Sequence, residues 1–292
     1  MKNNIKIAVV NFKSNWGDKQ ANLSEIKKYC KIAGSNNVNL ILFPETCLTG
    51  YDNDIENNYA EKMHVRLAES ITGESTRQIS EIAKKYNMYV IFGMPEKDMK
   101  NPDTVYNSAA IIYPDGEIEA YRKIHLPFDE KEWALEANEP KIIKSPWGNI
   151  GISICYDTYC FPELIRYYRA KGARLLLNVT ACPDIDCTMA AAKLSLPCYA
   201  YINYIFIASS NLCGKDKRSV FKGGSSVIGP DKTGKGYKIY LGKFFGEKDA
   251  DKEGIFIGDI DLSLADKNTD IPIFKGDWKP AFYKKLLEFC IE

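Results

Sequence analysis

The feature that most constrains this chain is an alternation, early on and again past its middle, of short apolar runs with segments of helical spacing. Residues 5–10 (IKIAVV) and 38–43 (VNLILF) are apolar and partly β-branched, as buried strands are. Between them, residues 22–33 place Leu23, Ile26, Tyr29 and Ile32 on one helical face. A second helical stretch, 72–86, carries Ile79, Ile82, Ala83 and Tyr86 on one face and leads into the strand 88–93 (MYVIFG). Such an opening buries its strands only if helices cover a face of the sheet.

Pro114-Asp115-Gly116 separates strands 105–113 and 117–121; proline presets one turn dihedral and glycine supplies a positive φ, so a hairpin is expected. A second hairpin around Pro146-Trp147-Gly148-Asn149 feeds the strand 150–154, and a helix from Pro162 to about Lys171 is expected to stop at Gly172. Strand 173–179, helix 189–201 and strand 205–211 repeat the opening plan. Strands 225–229, 238–241 and 255–260 and a closing amphipathic helix, 280–289, follow without a low-complexity linker. With 292 residues, 45% of them apolar, the chain lies near the upper size for one core. The reading is one α/β domain over residues 1–292.

Lysine and arginine number 39 against 38 acidic residues, a net charge of +1. No overall field draws nucleic acid or an anionic membrane, so the expected partner is a small molecule. No apolar run approaches the roughly 20 residues that span a bilayer. Nine cysteines lack framework spacing, and the N-terminus lacks the apolar core of a secretion signal. Reduced thiols and a cytoplasmic location are therefore expected.

Three residues stand out by position. Glu45 follows an apolar strand and a proline, so its carboxylate is either a solvated loop group or projects from the carboxyl end of the sheet, where α/β sheets bind ligands. Cys155 follows the strand 150–154 just before a helix; it is a core thiol, as many cysteines are, or one lifted towards free backbone N–H groups. Lys123, in Tyr121-Arg-Lys-Ile-His-Leu-Pro127, is a solvated edge cation or the partner of a thiolate.

The default bases for a thiol are the two histidines. His64 lies in a charged stretch and reads as a surface group, and His125 has no evident orienting partner, so a glutamate is the better base. Cys182 and Cys187, with Asp184 and Asp186 between them, have no histidine pair beside them and read as loop cysteines, not a metal site. Tyr199, Tyr201 and Tyr204 fit a helix packed on a sheet as well as a stacking platform.

Taken in order, Phe43-Pro-Glu-Thr-Cys-Leu-Thr-Gly-Tyr51, Tyr121-Arg-Lys-Ile-His-Leu-Pro127 and Gly151-Ile-Ser-Ile-Cys-Tyr-Asp157 resemble the nitrilase superfamily of carbon–nitrogen hydrolases, in its amidase-like branch. Phe161-Pro-Glu163, Gly223-Gly-Ser-Ser226 and Ile260-Asp261 extend the resemblance over nearly the whole chain. It implies a four-layer α-β-β-α sandwich that pairs through its helical face, as a homodimer or higher homo-oligomer. It also implies a catalytic Glu45–Lys123–Cys155 triad, a second glutamate at Glu130 in preference to Glu132, and a pocket lined by Tyr51, Tyr156, Asn178 and Thr180. The implied chemistry is hydrolysis of a small amide or N-carbamoyl amine through a cysteine thioester, with the oxyanion held by Lys123 and the Tyr156 N–H. No metal or organic cofactor is expected. Nitrile hydrolysis is the enzymatic alternative, and a non-catalytic binding protein on the same scaffold the alternative from another class.

The chain departs from the family pattern twice. Many amidase-type relatives read Cys-Tyr-Asp-x-Arg-Phe-Pro-Glu, whereas Cys155-Tyr-Asp-Thr-Tyr-Cys-Phe-Pro-Glu163 has one extra residue and no arginine. Without a guanidinium there to pair with a substrate carboxylate, a neutral or cationic substrate is favoured over a dicarboxylate half-amide. In Ala200-Tyr-Ile-Asn203, Ile202 stands where the family usually has glutamate, which loosens any transfer of specificity.

Overall fold

The computed structural model describes residues 1–266 and 279–289. The chain opens with β1 (Asn4–Asn11), α1 (Lys19–Ser35), β2 (Leu40–Leu42), the short α2 (Met63–Leu67), α3 (Glu74–Tyr86) and β3 (Tyr89–Lys97). The hairpin β4 (Val105–Ile112) and β5 (Ile118–Arg122) follows, then β6 (Ile142–Ser145), β7 (Gly148–Ile154), α4 (Tyr156–Cys160) and α5 (Pro162–Ala170). Next come β8 (Leu175–Thr180), α6 (Asp186–Asn203), β9 (Phe206–Asn211), and the small hairpin β10 (Cys213–Lys215) and β11 (Val220–Lys222). β12 (Ser226–Pro230), β13 (Tyr237–Gly242), β14 (Gly254–Asp261) and α7 (Pro280–Phe289) close the described chain.

The strands form two six-stranded sheets, ordered β14-β1-β2-β3-β4-β5 and β13-β12-β9-β8-β7-β6. Each has a parallel centre, β1-β2-β3 in one and β7-β8-β9 in the other, flanked by antiparallel neighbours. Alternation along the strands explains the layers. Ile5, Ile7, Val9, Leu40, Leu42 and Ile91 enter the large core that the two sheets share. The intervening Ala8, Val10, Ile41, Val90 and Phe92 meet Leu23, Ile26, Ile79 and Ala83 of α1 and α3 in a second core. On the other sheet, a β-carbon at Gly151 would overlap the Tyr168 ring, so glycine lets α5 lie close. The four layers α-β-β-α match the expected sandwich.

Local signals account for most of the boundaries. Asp18 caps α1 by accepting the Ala21 N–H at 3.0 Å. Asn87 takes the left-handed conformation (φ 51°) that ends α3. Where the structure runs past the expected ends, pairing is the reason. β3 continues to Lys97 because its register with β4 extends to Lys97↔Val105. α6 starts at Asp186 and passes through Pro197 to Asn203, since Ala192, Leu196 and Ala200 are held in the core. The β10–β11 hairpin was not foreseen: the charged Lys215-Asp-Lys-Arg218, from the end of β10 into the turn, has no apolar alternation.

Candidate active site

Glu45, Cys155 and the end of β8 meet where parallel strands deliver their carboxyl ends, the ligand-binding edge of an α/β sheet. Glu45 is fully buried. Its Oε2 accepts the Ala181 N–H at 2.9 Å, and its backbone N–H donates to Thr180 O at 3.4 Å. Gly93 of β3 makes this possible, because any β-carbon there would overlap the Glu45 and Thr46 backbone.

Lys123 follows β5, where its N–H bonds to Asn107 O at 2.8 Å. Its ammonium, fully buried, donates to Glu45 Oε1 and to Glu130 Oε2, each at 2.7 Å. Burial works against the charge, but Glu130 and Glu45 outweigh it and hold the Lys123 pKa above its ordinary value. Burial raises Glu130, to about 7, against the pull of Lys123. Glu132, the other candidate, is instead an exposed group paired with Lys62 at 2.8 Å.

Cys155 follows β7 with φ 47° and ψ −98°, a conformation that costs a non-glycine residue energy and marks a sharp strand-to-helix turn. Its N–H bonds to Val179 O at 3.0 Å, and its C=O accepts the N–H groups of Thr158 and Tyr159. The thiol lies 3.9 Å from Ala181 O, the residue whose N–H holds Glu45. Burial first, and Glu45 second, push the Cys155 thiol well above its ordinary range, while Lys123 pulls the other way. Burial thus favours the thiol over the thiolate at this position.

Asp157 joins these segments, a role that sequence reasoning did not assign. Its buried carboxylate accepts Tyr121 OH at 2.6 Å, the Ile124 N–H at 3.3 Å and the His125 N–H at 2.9 Å, tying the lysine strand to α4. It also corrects the reading of His125 as unoriented: Nδ1 lies 2.8 Å from Asp157 Oδ1 and the ring stacks on Phe161 at 3.4 Å. His64 is likewise corrected, being fully buried and not a surface group. It stacks on Trp133 at 4.2 Å, with Nε2 3.1 Å from Gly50 O. Its charged neighbours in sequence had suggested solvent; the apolar ring of Trp133 decides otherwise.

A cavity of about 430 Å³ opens on Cys155, with Tyr51, Tyr156, Glu130, Trp133 and Ala181 among its walls. Asn178 and Thr180, expected to line it, lie behind it. Asn178 Oδ1 accepts Thr158 Oγ1 at 2.7 Å, its Nδ2 donates to Ser209 Oγ at 2.9 Å, and Thr180 Oγ1 accepts Tyr159 OH at 3.0 Å. Asn178 braces the α4 side of the site from below, and the Thr180 side chain also hydrogen-bonds with the Cys155 thiol.

Tyr159 and Cys160, in the segment that carries the extra residue, stand on the cavity wall. Ile202 stands elsewhere, partly exposed on α6. Cys182 is buried with its sulfur 3.7 Å from Thr188 O, whereas Cys187 is exposed on the cavity rim. Tyr199 packs against the core and Tyr201 is exposed, so the tyrosines serve α6.

An arginine does reach the cavity, from a place the sequence pattern did not suggest. Arg218, between β10 and β11, lines its mouth, where one guanidinium nitrogen donates to Asn53 O at 3.2 Å and to Asp129 at 3.5 Å. Asp216 fixes this hairpin against the Tyr51 loop by accepting the Tyr51 and Asp52 N–H groups at 2.6 and 3.0 Å. Absence of an arginine after Cys155 therefore does not remove a cation from the site.

Residues 6–267 match the carbon–nitrogen hydrolase family profile. A probable nitrilase of Schizosaccharomyces pombe is 33% identical over 278 residues, covering 92% of this chain and 94% of its own. The omega-amidase of Homo sapiens is 30% identical over 278 residues, covering 88% and 89%. An amidase from Nesterenkonia sp. shares the fold, with a TM-score of 0.75 at 23% identity over 98% of this chain and 97% of that one. The chain belongs to the carbon–nitrogen hydrolase family, within the nitrilase superfamily.

Proposed function

We propose that Cys155, Glu45 and Lys123 carry out hydrolysis of a small amide through a cysteine thioester. The observation that carries this reading is the pair of bonds from Lys123 to Glu45 and Glu130, beside the Cys155 thiol on the cavity wall. Glu45 takes the Cys155 proton as sulfur attacks the amide carbon. The oxyanion is met by the Lys123 ammonium and the Tyr156 N–H. Collapse breaks the carbon–nitrogen bond, Glu45 returns the proton to the departing ammonia or amine, and a thioester remains. Water, deprotonated by Glu45, then releases the acid and restores the thiol. Glu130 holds Lys123 in place.

An amide is favoured over a nitrile by the omega-amidase relative, and Arg218 at the mouth offers a cation to a substrate carboxylate. We read residues 1–292 as one cytoplasmic catalytic unit that assembles as a homo-oligomer. Exposed Leu194 and Ile202 on α6 and Tyr167 on α5 support the pairing of helical faces.

Ammonia release from a panel of neutral amides, carboxylate-bearing amides, N-carbamoyl amines and nitriles tests the reading. Release that Cys155→Ala lowers by at least ~10³-fold, with an amide as best substrate, is expected. Equal release by parent and variant would remove Cys155 from the chemistry, and a nitrile preference would move the enzyme to the other branch.

A further inference from the structure

Asn107, on β4, lies outside every motif singled out in the sequence, yet it is fully buried at the centre of the site. Its Nδ2 donates to Glu45 Oε1 at 2.8 Å and to Glu130 Oε1 at 2.6 Å, so both amide hydrogens face carboxylates. Lys123 bridges the same pair from Nζ. The four side chains close a ring in which two acids face one lysine, and the amide donates to both acids.

The other end of the amide separates a positioning role from packing. Asn107 Oδ1 is buried without a hydrogen-bond partner. Packing alone would select a group satisfied at both ends or an apolar one. Turning the amide over would set Oδ1 against two carboxylates, so the observed orientation is the one the acids demand.

We propose that Asn107 is a positioning residue whose NH₂ group cross-links Glu45 to Glu130 and keeps the base in register with Cys155. This rests on the Glu45–Lys123–Cys155 reading above. Two like-charged carboxylates this close repel, and burial favours a proton on one of them. For Glu130, burial is the larger influence and pushes upward, while Lys123 and Asn107 pull down. The other ionisable groups facing the pair are Cys155, Tyr51 and Cys182. None of the three carries a positive charge to replace the lost donor. Without the amide, Glu130 holds its proton to higher pH, and Glu45 loses its fixed aim.

The test compares the pH dependence of kcat and KM for the parent, the near-isosteric Asn107→Asp, and Asn107→Ser, which keeps one donor. For Asn107→Asp, kcat is expected to fall on the order of 100-fold with KM within about twofold, as for a misaimed base. Its acid limb in kcat/KM should move up by about one pH unit, and that of Asn107→Ser by less. An unmoved acid limb, or a loss confined to KM, would overturn the proposal. Loss of a cooperative thermal melt in both variants would equally overturn it by making Asn107 a structural residue. Cys155→Ala, assayed alongside, separates the two ideas. If it stays active, the thioester reading fails; if it is inactive while the Asn107 variants keep parental profiles, only the present inference fails.

Discussion

At the scale of single residues, burial sets the chemistry before any partner does. Burial, with Glu45 second, pushes the Cys155 thiol up, and the two acids around Lys123 outweigh the burial that works against its charge. His64 shows the same effect away from the chemistry. Burial pulls its pKa from 6.5 to about 4, leaving a neutral ring to stack on Trp133 in the cavity wall. A pKa that is depressed on folding means the unfolded chain binds the proton first. His64 thus contributes stability above pH 6.5 that is lost as pH falls towards 4, up to about 3 kcal/mol. Glu130 and Asp216, raised by burial to about 7 and about 6, act with the opposite sign over an overlapping window. The readout is therefore the difference between the parent and His64→Phe in urea unfolding from pH 7 to 4. The parent should lose more stability than the variant; parallel curves would mean that His64 does not titrate between those limits.

At the scale of elements, the site depends on how closely backbones approach. Glu45 reaches its place because β3 offers Gly93 beside it, where a side chain would strike backbone atoms with no flexible end to yield. Gly93→Ala should cost about 1–3 kcal/mol of unfolding free energy, as overpacked sites do. It should also lower kcat by at least ~10-fold by displacing Glu45. Denaturant titration and turnover check the two effects together, and parental values in both would show that the segment shifts freely. The elements themselves were largely legible: β1, α1, β2, α3 and β3 follow from apolar spacing that each segment carries within itself. β10 and β11 were not legible, because that hairpin is held by Asp216 bonds to the Tyr51 loop and not by its own pattern.

At the scale of the whole molecule, two sheets share one core and leave α5 and α6 on an outer layer. Leu194 of α6 is 73% exposed, which a solitary surface leucine tolerates but which, with Ile202 and Tyr167 nearby in the same layer, suits pairing. Leu194→Asp should therefore reduce the particle mass seen by light scattering without changing the far-ultraviolet circular dichroism. An unchanged mass would remove this face from the interface.

The sequence by itself determined the alternating α/β plan and the strand-end positions of Glu45 and Cys155, which rest on periodicity and on neighbours within a few residues. The sandwich and the place of Lys123 in the same motif set followed from the resemblance to the family. The tertiary structure decided which polar groups meet. Glu45 finds Asn107 and Ala181 across 62 and 136 residues of chain, Asp157 finds His125, and Arg218 comes to the cavity from a separate hairpin. It also moved Asn178 and Thr180 behind the wall and buried His64. Hydrogen bonds of this kind depend on distances between segments, which no local pattern encodes, and burial depends on what the rest of the fold lays on top.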